Sequence, residues 1–161
     1  MKLTDEQKAR FFQRSFKAVD GLWFIKAEDR YGFEKALELD KAVWETFPKI
    51  QVRELRAILG VEDNAAGFVD CYTAMLDLEG FEYKLERGQS GFRITASRCP
   101  WHDVMVKSGR AHLSARVGEV ICRTEYSTWA AEFPGAGLKF SFGETGRLCT
   151  GATTCVLNFS K

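Results

Sequence analysis

Apolar residues recur at helical spacing through the first half of the chain and at alternate positions through much of the second. Thr4-Asp5-Glu6-Gln7 reads as a capping box, a hydroxyl at the N-cap with an amide three residues on. Phe12, Phe16 and Val19 continue the helical period until Asp20-Gly21, a stop signal. Leu22-Trp23-Phe24-Ile25 is an apolar cluster compatible with either element type. From Tyr31 to Phe47, Phe33, Leu37, Val43, Trp44 and Phe47 share one stripe, with Glu38, Asp40, Lys41 and Glu45 opposite. Pro48 should end or kink that helix. Ile50 to Leu59 forms the next, with Leu55, Ile58 and Leu59 inward and Gly60 in the C′ place. Asp63 or Asn64 caps a last helix that reaches Leu78, closes at Gly80 and carries Phe68, Tyr72, Met75 and Leu76 on its apolar face, with Cys71 nearby.

The period then changes to two. Phe81–Glu86 and Phe92–Ser97 alternate strictly around Arg87-Gly88-Gln89-Ser90-Gly91, which reads as a hairpin with one wet face. Leu138, Phe140 and Phe142 alternate near the end, and so do Thr153, Cys155, Leu157 and Phe159, a second hairpin across a loop rich in Gly and Thr. Between the hairpins, Pro100–Gly109 and Ser114–Phe133 read as helices, Pro100 suiting a first helical position. The predicted fold is α+β over a single domain, 1–161. An N-terminal helical layer (1–80) is followed by a four-stranded antiparallel sheet of two hairpins with a helical insert (81–161).

Composition narrows the function classes. The hydrophobic fraction is 45% and the charged fraction 28%, ordinary globular values. A net charge of +1 argues against nucleic acid and membrane surfaces as partners, since both usually need a basic excess. The polar start, Met-Lys-Leu-Thr-Asp-Glu, has no apolar stretch behind it and does not read as a secretory signal. We expect a cytoplasmic protein with a small-molecule substrate or ligand. The aromatic segments near Trp23 and Trp44 offer a surface for a homodimer.

The chemistry lies in the cysteines, which a reducing compartment keeps as thiols. Cys99 precedes Pro100, so its thiol sits just before a helix N-terminus, where partial positive charge favours a thiolate. His102 follows in a Cys-x-x-His spacing that can chelate a metal. Cys122 falls within the next helix, Cys149 beside the last turn, and Cys155 at the entry of the last strand. Three readings stay open. Cys122 and Cys155 are small buried residues; or several of Cys99, Cys122, Cys149 and Cys155 bind zinc or an iron–sulfur cluster; or Cys99 is a catalytic nucleophile. Glu125 lies one turn after Cys122, where a carboxylate can serve as a base or as a group beside the thiol. No phosphate loop, dinucleotide fingerprint or Ser-His-Asp pattern is present.

Three blocks, Arg98-Cys99-Pro100-Trp101, Ile121-Cys122-Arg123-Thr124-Glu125 and Gly151-Ala152-Thr153-Thr154-Cys155-Val156-Leu157, resemble the L-2-amino-thiazoline-4-carboxylate hydrolase-like family. The N-terminal run with Trp23, Tyr31-Gly32 and Trp44 is similar to uncharacterised members of that group. The order of elements is also similar to the 4-vinyl reductase-like ligand-binding domains. The first resemblance implies a hydrolase opening a small sulfur- or nitrogen-containing ring or amide. Cys99, Cys122 and Cys155 would be the family cysteines, and Cys99, Glu125 and His102 the catalytic candidates. Glu125 stands at a position where the family more often carries Asp, one methylene shorter. The second resemblance implies a non-catalytic ligand-binding or sensory module, its cysteines holding a structural zinc or an iron–sulfur site.

Overall fold

A computed structural model of the chain describes residues 2–161. The Thr4 hydroxyl accepts from the Gln7 N–H and the Gln7 side chain from the Thr4 N–H, so α1 (Asp5–Tyr31) begins where the capping box places it. It does not stop at Asp20-Gly21. One glycine costs about 1 kcal/mol against alanine, too little to end a long helix, and Leu22–Ile25 is therefore helical. The break falls at Gly32, whose φ of 84° is a conformation that glycine adopts without strain. Next comes α2 (Phe33–Trp44).

Contacts divide the chain into two compact units, one ending at Asp40 and the other spanning Lys41–Lys161. The division falls inside α2, not at the change from helices to strands. In the first unit, the Phe24 and Phe33 rings meet edge-to-face at 5.9 Å. Ala27, Ala36 and Leu37 are buried.

In the second unit, Pro48 does not end a helix; it lies in the first turn of α3 (Phe47–Leu59), where its missing N–H breaks no bond. Gly60 closes α3 in the left-handed conformation, φ 64°. The inward set also differs from the expected one. Val52 and Leu55 are buried, whereas Ile58 is 73% exposed. Val43 is likewise exposed, while Trp44 is buried against the edges of Phe47 and Trp101. Trp44 therefore offers no surface to a second chain. Asn64 caps α4 (Ala65–Glu79) through the Gly67 N–H, and Phe68, Cys71, Tyr72, Met75 and Leu76 all face inward as the period predicts.

The sheet is the expected one: four antiparallel strands, β1 (Glu82–Gly88), β2 (Gly91–Arg98), β3 (Lys139–Phe142) and β4 (Cys155–Ser160), in the order β1-β2-β4-β3. Two helices, α5 (Pro100–Lys107) and α6 (Ala111–Ala131), form the insert, and a short 3₁₀ turn (Leu148–Thr150) precedes β4. Register sets Phe92 and Phe140 on either side of Phe159, giving a row of rings across one face. The Phe92 and Phe159 rings stack at 4.7 Å, and Phe68 of α4 meets Phe159 edge-on at 5.1 Å. Phe68, Tyr72, Trp129, Phe133 and Phe159 are fully buried, so the helices cover this face and leave the other wet. Among the described residues no helix is long and apolar enough to cross a membrane.

Gly91 ties β2 to β4 at close range. Its φ is 152°, and a Cβ there would collide with the Phe159 carbonyl oxygen. Gly91→Ala should therefore destabilise the fold by about 2 kcal/mol or more, read as a lower midpoint in urea unfolding.

Candidate functional site

The thiols reach one region from four different elements. Cys99 is the N-cap of α5, directly after β2, with Pro100 buried behind it. Cys122 lies in the middle of α6, Cys149 in the 3₁₀ turn, and Cys155 opens β4. Cys155 pairs across the ladder with Ala96, three residues before Cys99, so those two thiol-bearing residues occupy the same end of the sheet. Gly118, one turn before Cys122 on α6, leaves the space for the other two. A Cβ at Gly118 would stand 3.3 Å from Cys149 Sγ and 3.8 Å from Cys122 Sγ. All five cysteines are free thiols.

Burial dominates their electrostatics. Desolvation pushes the Cys122 thiol well up, and the charges of Cys99, Glu125, Cys155 and Cys149 add to it. Cys155 is raised to about 11, first by burial and then by Cys149, with Arg147 opposing. Cys149 is raised mainly by burial, again against Arg147. Cys99 is raised to about 12 by burial, although the backbone N–H groups of His102 and Trp101 act to lower it. The helix start does favour the Cys99 thiolate, as its position suggests. The loss of hydration against the apolar core is the larger effect. At neutral pH these thiols are protonated.

The other candidate residues separate. Glu125 is buried, 4% exposed, and its charge raises Cys99, Cys122, Tyr72 and Tyr126. The His102 ring is engaged elsewhere: Nδ1 lies 2.8 Å from the buried Ser114 Oγ and ties α5 to α6. It is the His102 backbone N–H, not the imidazole, that serves Cys99. Asp103 accepts from Arg98 Nε at 2.8 Å and so orients no imidazole. Cys71 is fully buried in α4 and is influenced by Arg56 and Asp70, not by the other thiols.

Three residues at the site carry no signal in the pattern. Tyr72 is one, hidden because its ring obeys the helical period of α4. Its hydroxyl is buried without a hydrogen-bond partner and is raised by burial and then by Glu125, Cys122, Glu79 and Cys155. Arg147, in the loop, bonds Glu119 at 2.8 Å and lies 4.6 Å over the Phe142 ring. Gly118 looks like an ordinary helical glycine until the sulfurs beside it are seen.

The donor set suits soft metals, but its arrangement is not that of one ion. Among the described residues no three His, Cys, Asp or Glu side chains are placed to hold a single metal ion. Zinc at about 2.3 Å from each sulfur would draw its thiolates to within about 4.6 Å of one another.

Residues 6–90, just over half of the chain, match a family described as "Family of unknown function (DUF6125)". The chain belongs to the DUF6125 family. No curated protein and no solved structure matches it. The DUF6125 match takes in α1 to α4 and β1 and stops short of Cys99, so among the thiols it includes Cys71 alone.

Protonation of these thiols has a direct readout. At pH 7 in the folded protein, Cys99, Cys122 and Cys155 should react with iodoacetamide more than about tenfold slower than an unhindered thiol of ordinary pKa. In denaturant all five should react alike, measured by mass spectrometry of the peptides. For Cys99 and Cys155 the rate should keep rising with pH beyond 9, because their thiolates form only towards 12 and 11 respectively.

Proposed function

We propose that this chain is a small-molecule-responsive domain built around an iron–sulfur cluster held by Cys99, Cys122, Cys149 and Cys155. The observation that carries the reading is that Cys122 lies beside Cys149 at Gly118 and within charge range of Cys99 and Cys155, so that four thiols from four elements converge on one region. A cluster contains several metal atoms and holds its thiolates further apart than a single zinc does. Thiolate-only ligation also needs no imidazole, which agrees with His102 being bonded to Ser114. When bound, the cluster would supply a one-electron redox or gas- and oxidant-sensitive centre. The chain's own part is to exclude water with Trp101 and the core aromatics. Its Tyr72 hydroxyl and Glu125 carboxylate stand beside the sulfurs. A cytoplasmic location, which keeps such thiols reduced, fits this reading.

Binding must displace the thiol protons, so loading should strengthen as pH rises. The test is anaerobic reconstitution with ferrous iron and sulfide, followed by absorbance near ~400 nm and by iron and sulfide analysis. We expect a brown protein at pH 8 and weaker loading at pH 6. Cys122→Ser should lose the colour, and Cys71→Ser should keep it. A colourless protein, or stoichiometric zinc in place of iron, overturns the reading.

A second reading places hydrolysis of a carbon–nitrogen or carbon–sulfur bond of a small ring or amide at the same site. It is favoured by the buried Glu125 carboxylate beside Cys99 and Cys122, which stands ready to move a proton. Burial holds the Cys99 thiol in its protonated form, which disfavours direct attack by sulfur. Turnover of 2-amino-thiazoline-4-carboxylate by the wild type, lowered about a hundredfold or more by Glu125→Gln, would support hydrolysis. No turnover by the wild type removes that substrate.

A further inference from the structure

Gly118 is buried in α6, and the space it leaves is filled by sulfur. A Cβ at this position would have the Sγ atoms of Cys149 and Cys122 both within 4 Å, and the Cys149 Cβ at 4.0 Å. Cys122 follows Gly118 by one helical turn, so its thiol lies on the same face of α6. Cys149 reaches that face from another element, the 3₁₀ turn Leu148–Thr150. A methyl group at 118 would press on Cys149 Sγ at 3.3 Å, so the glycine is what lets the two thiols share one notch.

The two thiols are held in different ways. Cys122 lies in the middle of a 21-residue helix and packs against the core. Cys149 sits on a three-residue turn with no buried residue, which Arg147 ties to Glu119, the neighbour of Gly118. Burial raises the Cys149 thiol, and the Arg147 charge opposes that. A partly exposed sulfur beside a cation is the one an oxidant reaches first. A disulfide requires the sulfurs to close to about 2.05 Å, and the turn, not the helix, supplies that movement. Cys155 is the rival partner, since its thiol also feels the charge of Cys149. It is fixed in β4 opposite Ala96, however, and is engaged by the Leu148 backbone.

We propose that Cys149 and Cys122 are an oxidisable thiol pair over Gly118, Cys149 reacting with a hydroperoxide and Cys122 resolving the product as an intramolecular disulfide. In the first step the Cys149 thiolate attacks one oxygen of hydrogen peroxide. The O–O bond breaks, an S–O bond forms, and the other oxygen leaves with the thiol proton as water. In the second step the Cys122 sulfur attacks the sulfenic acid sulfur of Cys149. An S–S bond replaces the S–O bond, and a second water carries away the Cys122 proton. The two thiols are oxidised by loss of two hydrogens, and the peroxide is reduced to two waters. Glu125, one turn beyond Cys122 on α6 and within its charge range, is a carboxylate that can take the Cys122 proton on the way. The pairing needs no metal. Its consequence for loading rests on the cluster proposed above, which would lose two of its four ligands to the disulfide.

Hydrogen peroxide added to the reduced, metal-free full chain tests the pairing, read by peptide mass spectrometry without reduction. Trypsin leaves Cys122 in Val117–Arg123 and both Cys149 and Cys155 in Leu148–Lys161. The wild type should join these two peptides within one chain, and dithiothreitol should separate them. Fragmentation should locate the bond at Cys149, and three of the five thiols should remain open to alkylation in denaturant. Cys155→Ser and Cys99→Ser should keep the link, and Cys149→Ser should lose it. Cys122→Ser should leave a sulfenic acid on Cys149 that dimedone traps. The peroxide-treated wild type should fail to load iron and sulfide until it is reduced. No link, a link through Cys155, or a link between two chains overturns the proposal. Loading of the reduced chain is measured separately. A chain that loads but never forms the link removes the pair and leaves the cluster, and a chain that forms the link but never loads removes the cluster and leaves the pair.

Discussion

Pairing of β2 with β4 is the constraint on which the second unit depends. The two hairpins are far apart in the chain, and this ladder alone makes them one sheet. Its register sets Phe92 opposite Phe159 and lets the α4 aromatics pack across both hairpins at once. The same register carries Ala96 to Cys155, and so brings Cys99 and Cys155 to one edge. A slip of β4 by one residue would turn Phe159 and its strand neighbours to the wet face and shift Cys155 relative to Cys99. Core and site therefore share a single geometric origin.

At Cys99 two effects oppose each other, and the outcome decides what the site can do. A helix N-terminus offers backbone N–H groups and a fraction of a positive charge, typically about 0.3–1 kcal/mol for an exposed anion. Packing a thiol against the apolar core removes hydration that a thiolate needs, and the loss is larger. The residue type and position suggest an activated nucleophile, while the surroundings hold the thiol in its protonated form. Burial at this position therefore disfavours direct attack by sulfur.

Local rules made much of this legible. The Thr4 box, the Asn64 cap, the Gly60 and Gly80 ends, the alternation in both hairpins and the inward face of α4 all follow from contacts within a few residues. A local signal misleads where its context overrides it. Gly21 reads as a stop, but nothing crowds it and the helix continues through it. Pro48 reads as an end but begins α3, since proline is acceptable at either boundary. The site was legible only as a set of thiols. That Glu125 would be buried beside them could be suspected from its spacing to Cys122, whereas the roles of Gly118, Tyr72 and Arg147 depend on tertiary proximity that no periodicity encodes.

The 3₁₀ turn bearing Cys149 contributes no buried residue of its own. It is moored to α6 through Arg147, whose guanidinium grips Glu119 and rests on Phe142. Cys99, Cys122 and Cys155, by contrast, pack against the hydrophobic core. The four sulfurs therefore differ in what holds them, three by apolar packing and the fourth on a turn tied down by an ion pair. Arg147 is largely shielded from solvent, so added salt weakens that tie less than it would an exposed pair, and the fourth sulfur keeps its place by charge where the others keep theirs by packing.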